Sequence, residues 1–302
     1  MVSKVLFLPA TALLPLLVGL SFSTDALAIA NPTPAQPTPS LLNGQISGQQ
    51  GQLVAQLSFT FRGVTSSRNR QAGISRGGSA CSPDGNSFTA VALLPKNQTN
   101  DPYNRQIDVQ PIVDDHPTLF VYIPETIAQT AQFTLSKEIS ESKGTSDENL
   151  QPIYQTTFAL PGQPGVVAVT LPKDVTPLQI DSFYHWSLSL QCDPTDNSGN
   201  PVVEGWLQRV DLSPAQVSLR DRTTPRNLPA FYARAGMWQD TLATLAKLRI
   251  SNPNDQTLTQ DWVSLLNSAD LGNNIANAPL ININVNQDGT ATLCDCNSNT
   301  RP

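Results

Sequence analysis

The chain is 302 residues long, only 14% of them are charged, and the formal net charge is -6. That balance supplies no basic face of the kind a nucleic-acid partner requires. Four cysteines make disulfides permissible if the chain is exported.

Residues 1–28 read as a signal peptide. Lys4 gives a short basic start, residues 5–20 are mostly apolar, and Ala26-Leu27-Ala28 is a small-x-small cleavage pattern. Pro9 and Pro15 interrupt that stretch, which is short for the roughly 20 residues of a membrane span. No later stretch is apolar enough to cross a bilayer, so the expected location is extracytoplasmic, in the periplasm or beyond. Residues 29–58, rich in Pro, Thr, Gln, Gly and Ser, carry too few large apolar side chains to offset the entropy of ordering and read as a linker. Residues 59–80 follow as a lead-in with Arg62, Arg68, Arg70 and Arg76 set among glycines. These read either as a solvated approach or as an arm for acidic polymer or anionic head groups.

From residue 81 to 212 short β-forming segments alternate with turn signals. Strands are expected at 87–94, 118–123, 132–139, 153–160, 166–171, 184–192 and 202–210, about seven in all. In Tyr184-His185-Trp186-Ser187-Leu188-Ser189-Leu190 apolar and polar residues alternate strictly, the period of a half-buried strand. Asp193-Pro194 and Asn197-Ser198-Gly199-Asn200 then reverse the chain. This punctuation predicts an antiparallel, immunoglobulin-like β-sandwich. Cys81 precedes the first of these strands and Cys192 ends the sixth. A bridge between them would stabilise by about 4 kcal/mol on the chain-entropy model; free thiols, or pairing with the tail, are the alternatives.

After Asp211 the period changes to about 3.6. Ser213-Pro214 is a helix start with a cap and a first-turn proline. Phe231, Ala235, Trp238, Leu242, Leu245 and Arg249 follow at spacings of three and four, and the first five line one helical face. Gly236 breaks the run, which predicts a helix to Ala235, a tight turn at Gly236-Met237, and a second helix over 238–249. Leu258, Trp262, Leu265 and Leu266 mark a third. Residues 213–280 thus form a helical hairpin module resembling tetratricopeptide repeats, with Tyr232, Gly236, Trp238, Leu242 and Ala243 at the aromatic, glycine and small positions. So short an array must pack its faces against the sandwich or a partner. Residues 281–302 are a flexible tail or small hairpin, ending near Cys294-Asp295-Cys296. That pair supplies at most two of the four ligands of a structural zinc.

The chain resembles the cyanobacterial family of unknown function DUF928. The likeness rests on the Arg/Gly lead-in before Cys81, on Phe120-Val121-Tyr122-Ile123-Pro124, on Pro164-Gly165-Val166, on Tyr184-His185-Trp186 with Cys192-Asp193-Pro194, on Gly205-Trp206-Leu207-Gln208-Arg209-Val210 and on Tyr232-Ala233-Arg234-Ala235-Gly236-Met237-Trp238-Gln239-Asp240. The resemblance implies an exported cyanobacterial protein and brings no catalytic residues with it.

Reactive constellations are scarce. The two histidines are His116, in the turn Asp114-Asp115-His116-Pro117, and His185, on the outer face of a strand; no G-x-S-x-G elbow accompanies either. Asp193, Asp196, Asn197 and Asn200, around Gly199, are the oxygen set calcium prefers, yet they fit no standard calcium loop and are what a hairpin turn demands. No cofactor is expected. The reading is a non-enzymatic exported accessory protein that presents a protein-binding surface, with Trp206, Trp238, Tyr232 and Asp240 as candidates. Its alternative is a module for cell-envelope polysaccharide.

Overall fold

The computed structural model describes residues 57–59, 64–65, 81–85, 88–95, 108–139, 149–193, 199–285 and 291–295, all within the compact unit that runs from Leu53 onwards. The expected signal peptide, nearly all of the linker, the four lead-in arginines, Asp196, Asn197 and Cys296 lie outside the described residues. Strands β1 (Val64–Thr65), β2 (Val91–Ala92), β3 (Asp108–Ile112), β4 (Thr118–Ile123), β5 (Thr130–Glu138), β6 (Leu150–Ala159), β7 (Gly165–Thr170), β8 (Phe183–Gln191) and β9 (Val202–Arg209) come first. Helices α1 (Pro214–Arg222), α2 (Leu228–Ala235), α3 (Trp238–Ser251), α4 (Gln256–Ser268) and α5 (Asn273–Ala276) follow, then β10 (Leu280–Val285) and β11 (Ala291–Asp295).

The strands form a six-stranded sheet, β1-β3-β9-β8-β5-β6, and a five-stranded sheet, β11-β10-β7-β4-β2. Alternation in β8 puts Tyr184, Trp186, Leu188 and Leu190 on the inner face, where they meet Phe133 and Leu135 of the same sheet and Leu119, Val121, Val167 and Val169 of the other. Trp186 lies directly across from Gly205. A Cβ at that glycine would stand 2.7 Å from the indole Nε1, so only a bare backbone admits the ring. Cys81 and Cys192 are joined as a disulfide, Cα atoms 5.2 Å apart, at the margin of this core.

The expected antiparallel sandwich of about seven strands needs two corrections: the described residues hold nine strands before the helices, β1 and β3 among them where none was expected and β2 shorter than expected, and the sheets are mixed. β3 runs parallel to β9, and β10 runs parallel to β7. Such pairs are joined through long connections rather than tight turns, and local sequence gives no sign of them. Of the two readings of the tail, flexible or a small hairpin, β10 and β11 take the second by pairing antiparallel, and they continue the five-stranded sheet.

In the five-stranded sheet, β4 and β7 are buried on both faces. These strands read as near-continuous apolar runs, Leu-Phe-Val-Tyr-Ile and Val-Val-Ala-Val, the pattern of a covered sheet. Odd-numbered residues of both strands face the sandwich core, while Phe120, Val166 and Ala168 face Trp238, Leu242, Leu245, Trp262 and Leu265 of the helices. The helical module therefore forms a third layer on the sandwich.

The helix boundaries follow the expected signals. Ser213 and Gln216 close a reciprocal capping box on α1. Gly236, at φ 80°, ends α2 in the left-handed conformation that glycine tolerates best. Asp255 caps α4 by accepting from the backbone N–H groups of Thr257 and Leu258. Residues 57–59 lie against this layer: Phe59 makes an edge contact with Trp238 at 4.8 Å, and its N–H donates to Ser268 Oγ at 3.1 Å. No helix among the described residues is long and apolar enough to cross a membrane.

Candidate functional site

Two of the four expected surface residues, Tyr232 and Asp240, converge on one cleft of about 290 Å³. It opens where the β3–β4 turn, the end of β9 and helices α1 to α3 meet, and it is lined by Asp114, Asp115, Arg209, Arg220, Tyr232 and Asp240. The first turn of α3 points Asp240 inward, where it is 5% exposed. Its Oδ2 accepts from Val113 N–H at 3.0 Å and its Oδ1 from Asp114 N–H at 2.9 Å, so one carboxyl clamps the β3–β4 turn to the helical layer. Burial pushes this carboxyl up to about 7, against the pull of those two hydrogen bonds.

The groups around it are held by local bonds. His116 Nδ1 lies 2.7 Å from Asp115 Oδ1, and its Nε2 lies 3.0 Å from the Val175 carbonyl. That bond from His116 holds the Asp115 carboxyl below the ordinary range. The His116 N–H donates to Asp114 Oδ1, as the turn-forming reading of Asp114-Asp115-His116 expects. Arg220 is paired with Asp221 at 2.9 Å. Arg209 donates from Nη1 to the Val210 carbonyl, while its Nε is buried without a hydrogen-bond partner among the described residues. Burial, and next the Asp240 charge, raise the Tyr232 hydroxyl. The cleft thus holds carboxylates and guanidinium groups side by side.

Other candidates are placed elsewhere. Trp238 is 0% exposed, and its Nε1–H donates to the Leu93 carbonyl at 2.6 Å. It ties helix to sheet and offers no surface, because the outer face of β4 and β7 must be covered. Trp206 is 9% exposed and packs with Val109, its ring 4.9 Å from that of His185. It presents no open stacking platform of the kind the glycan alternative needs. His185 Nε2 stands 3.3 Å from Glu204 Oε2 beside it. Asn200 is buried; its Oδ1 accepts from Cys192 N–H at 3.1 Å and its Nδ2 donates to Gln191 Oε1 at 3.2 Å. That side chain fastens the β8–β9 hairpin, and Asp193 is exposed beside it. Among the described residues no three His, Cys, Asp or Glu side chains gather as a metal site.

Arg220 and the half-buried Arg249 are candidates that the sequence reading did not single out. Arg220 carries no local signal, but Arg249 does: it continues the three-and-four stripe of α3, and a cation on an apolar stripe is out of place.

The geometry defines a three-layered, sheet-rich protein with a charged cleft at the seam between sandwich and helices. The chain belongs to the family described as Domain of Unknown Function (DUF928), whose model matches residues 71–280. No curated protein and no solved structure matches it.

Proposed function

We propose that this protein is an exported, non-enzymatic accessory protein that binds another protein through the seam cleft and helix α1 beside it. The observation that carries this reading is α1 itself. None of its nine residues is buried, and Leu219 is 51% exposed. A helix this short is marginal in water unless packed. Here a capping box at one end and Arg220 and Arg222 at the other hold it, which leaves its side faces for a partner. The partner surface suited to the cleft carries both charge signs, to meet Asp114 and Asp115 as well as Arg209 and Arg220. The Cys81–Cys192 bridge supports export, since such bonds persist in oxidising compartments. An immunoglobulin-like kinship for the sandwich and a tetratricopeptide-like one for the α2–α3 hairpin belong to the same proposal. The facing sheets and the Gly236 turn support them.

The test is site-specific photo-cross-linking in source cells. A cross-linker at position 219 is expected to trap one protein partner, and one at Gln155, on exposed β6, is not. Arg220→Glu is expected to remove the adduct without lowering the melting temperature. Equal adducts from both positions, or no protein adduct from position 219, would count against the reading and for its alternative.

A further inference from the structure

Behind the helices lies a second cavity, of about 250 Å³, lined among others by Arg249, Asn252, Pro253, Thr259, Asn277 and Pro279. It sits between the end of α3, the start of α4 and the link from α5 to β10. Arg249 gives it its character. The guanidinium lies over the Trp262 ring, its Cζ 5.0 Å from the centroid. Among the described residues its Nη1 is buried with no hydrogen-bond partner, and none of their carboxylates pairs with the guanidinium. Burial accordingly lowers the affinity of this group for its proton. Cation–π contact offsets part of the desolvation, but a buried guanidinium N–H without an acceptor is costly.

An arginine fork is shaped for a planar oxyanion. Arg249 is the one charged residue among the described residues of the lining, so the site matches a monoanion better than a phosphate. Asn252 Nδ2 donates to the Leu248 carbonyl and Asn277 Nδ2 to the Asn273 carbonyl. The amide oxygens are left to accept, and Thr259 adds a hydroxyl. Several acceptors beside one anion-binding fork call for a ligand with one carboxylate and several hydroxyl donors. Pro253 and Pro279 supply apolar wall for the C–H face of a ring. The cavity falls below the roughly 300–1,000 Å³ of sites for drug-sized ligands, so it holds a single ring.

We propose that this cavity binds one uronic-acid residue of an acidic polysaccharide, its carboxylate on Arg249 and its hydroxyls on Asn252, Thr259 and Asn277. This goes beyond the protein-binding reading and does not depend on it, since it uses none of the residues of the seam cleft.

Titration calorimetry on the full mature chain tests it, with D-glucuronate as probe and D-glucose, N-acetylalanine and sulfate as comparisons. Glucuronate is expected to bind, and each comparison to bind at least 10-fold more weakly. Arg249→Met, which removes the charge and keeps an apolar side chain against Trp262, is expected to abolish binding without lowering the melting temperature. Asn277→Asp, which adds a second anion to the cavity, is expected to weaken binding at least 10-fold in a chain whose Arg249 is untouched. The proposal is overturned if glucuronate does not bind, or if both variants bind it as the native chain does. It is equally overturned if N-acetylalanine binds as well as glucuronate, which would make the ligand a peptide terminus, or if sulfate does, which would make the site a general anion trap.

Discussion

Asp240 should make the stability of this protein fall as pH rises across the neutral range. Unfolded, its carboxyl gives up its proton near 3.8; folded, it holds it to about 7. Between those values the folded chain carries the extra proton, so unfolding free energy declines with rising pH. The difference of about three pH units corresponds to about 4 kcal/mol at full extent, of which about 2.5 kcal/mol falls between pH 5 and 8. Asp115 and Asp255 are both held below the ordinary carboxylate range, Asp115 by the His116 hydrogen bond and Asp255 by the Arg226 hydrogen bond. Their contributions are constant over that interval and are lost only in acid. Asp261, raised by burial, acts in the same direction as Asp240 but is shared by native chain and variant. The assay is urea unfolding of the native chain and Asp240→Asn at pH 5, 6, 7 and 8, with the disulfide intact. An asparagine turns an N–H toward one of the two clamped backbone donors, at a cost of about 1–3 kcal/mol that does not vary with pH. The stability difference between the two proteins should therefore shift by about 2.5 kcal/mol in favour of the variant from pH 5 to 8. A difference that is flat across the series would refute the assignment of this proton to Asp240.

Other perturbations separate the parts of the fold. Cys192→Ser removes a bridge between residues 111 apart in sequence and should lower stability by about 2–5 kcal/mol by chemical denaturation; an unchanged midpoint would mean the bridge constrains nothing. Gly205→Ala forces a methyl into the Trp186 indole and should cost about 1–3 kcal/mol, with a shifted tryptophan emission; a neutral result would show that the two strands part easily. Ser213→Ala breaks the capping box of α1 and should weaken that helix by about 1 kcal/mol. Since α1 buries no residue, the loss should register as faster amide exchange over residues 214–222, with the global melting temperature unmoved.

What the sequence disclosed was local, and what it withheld depended on pairing between distant segments. β4 falls on 118–123 as expected, because Thr118-Leu-Phe-Val-Tyr-Ile123 is bounded by Pro117 and Pro124. The Gly236 turn and the start of α3 were legible for the same reason: a glycine at a left-handed position interrupts an apolar stripe. β3 was not. Asp108-Val109-Gln110-Pro111-Ile112 carries a proline and a buried glutamine, the opposite of a central-strand composition. Its place between β1 and β9 comes from parallel pairing across the chain. Of the candidate site, Tyr232 and Asp240 were named from the sequence, but Trp238 was set beside them as surface. The correction was implicit in β7: Val166-Val-Ala-Val169 shows no alternation, so something apolar had to cover its second face.

That double coverage bears on how function can be divided within this chain. The helices are not an appendage on a finished sandwich. Phe120, Val166 and Ala168 would be bare without Trp238, Leu242 and Trp262, and an exposed apolar sheet face invites association rather than a stable truncated fold. β10, which follows the helices in sequence, returns to pair with β7, while residues 57–59 reach the helical layer from the other end of the unit. Removing residues 213–280 would therefore strip one face of the five-stranded sheet and cut the connection that delivers its parallel neighbour. Loss of binding in such a truncation would report loss of fold, whichever surface does the binding. Point changes at Arg220 and Arg249, one at the seam and one behind the helices, leave both cores filled and are the substitutions that can assign function to a face.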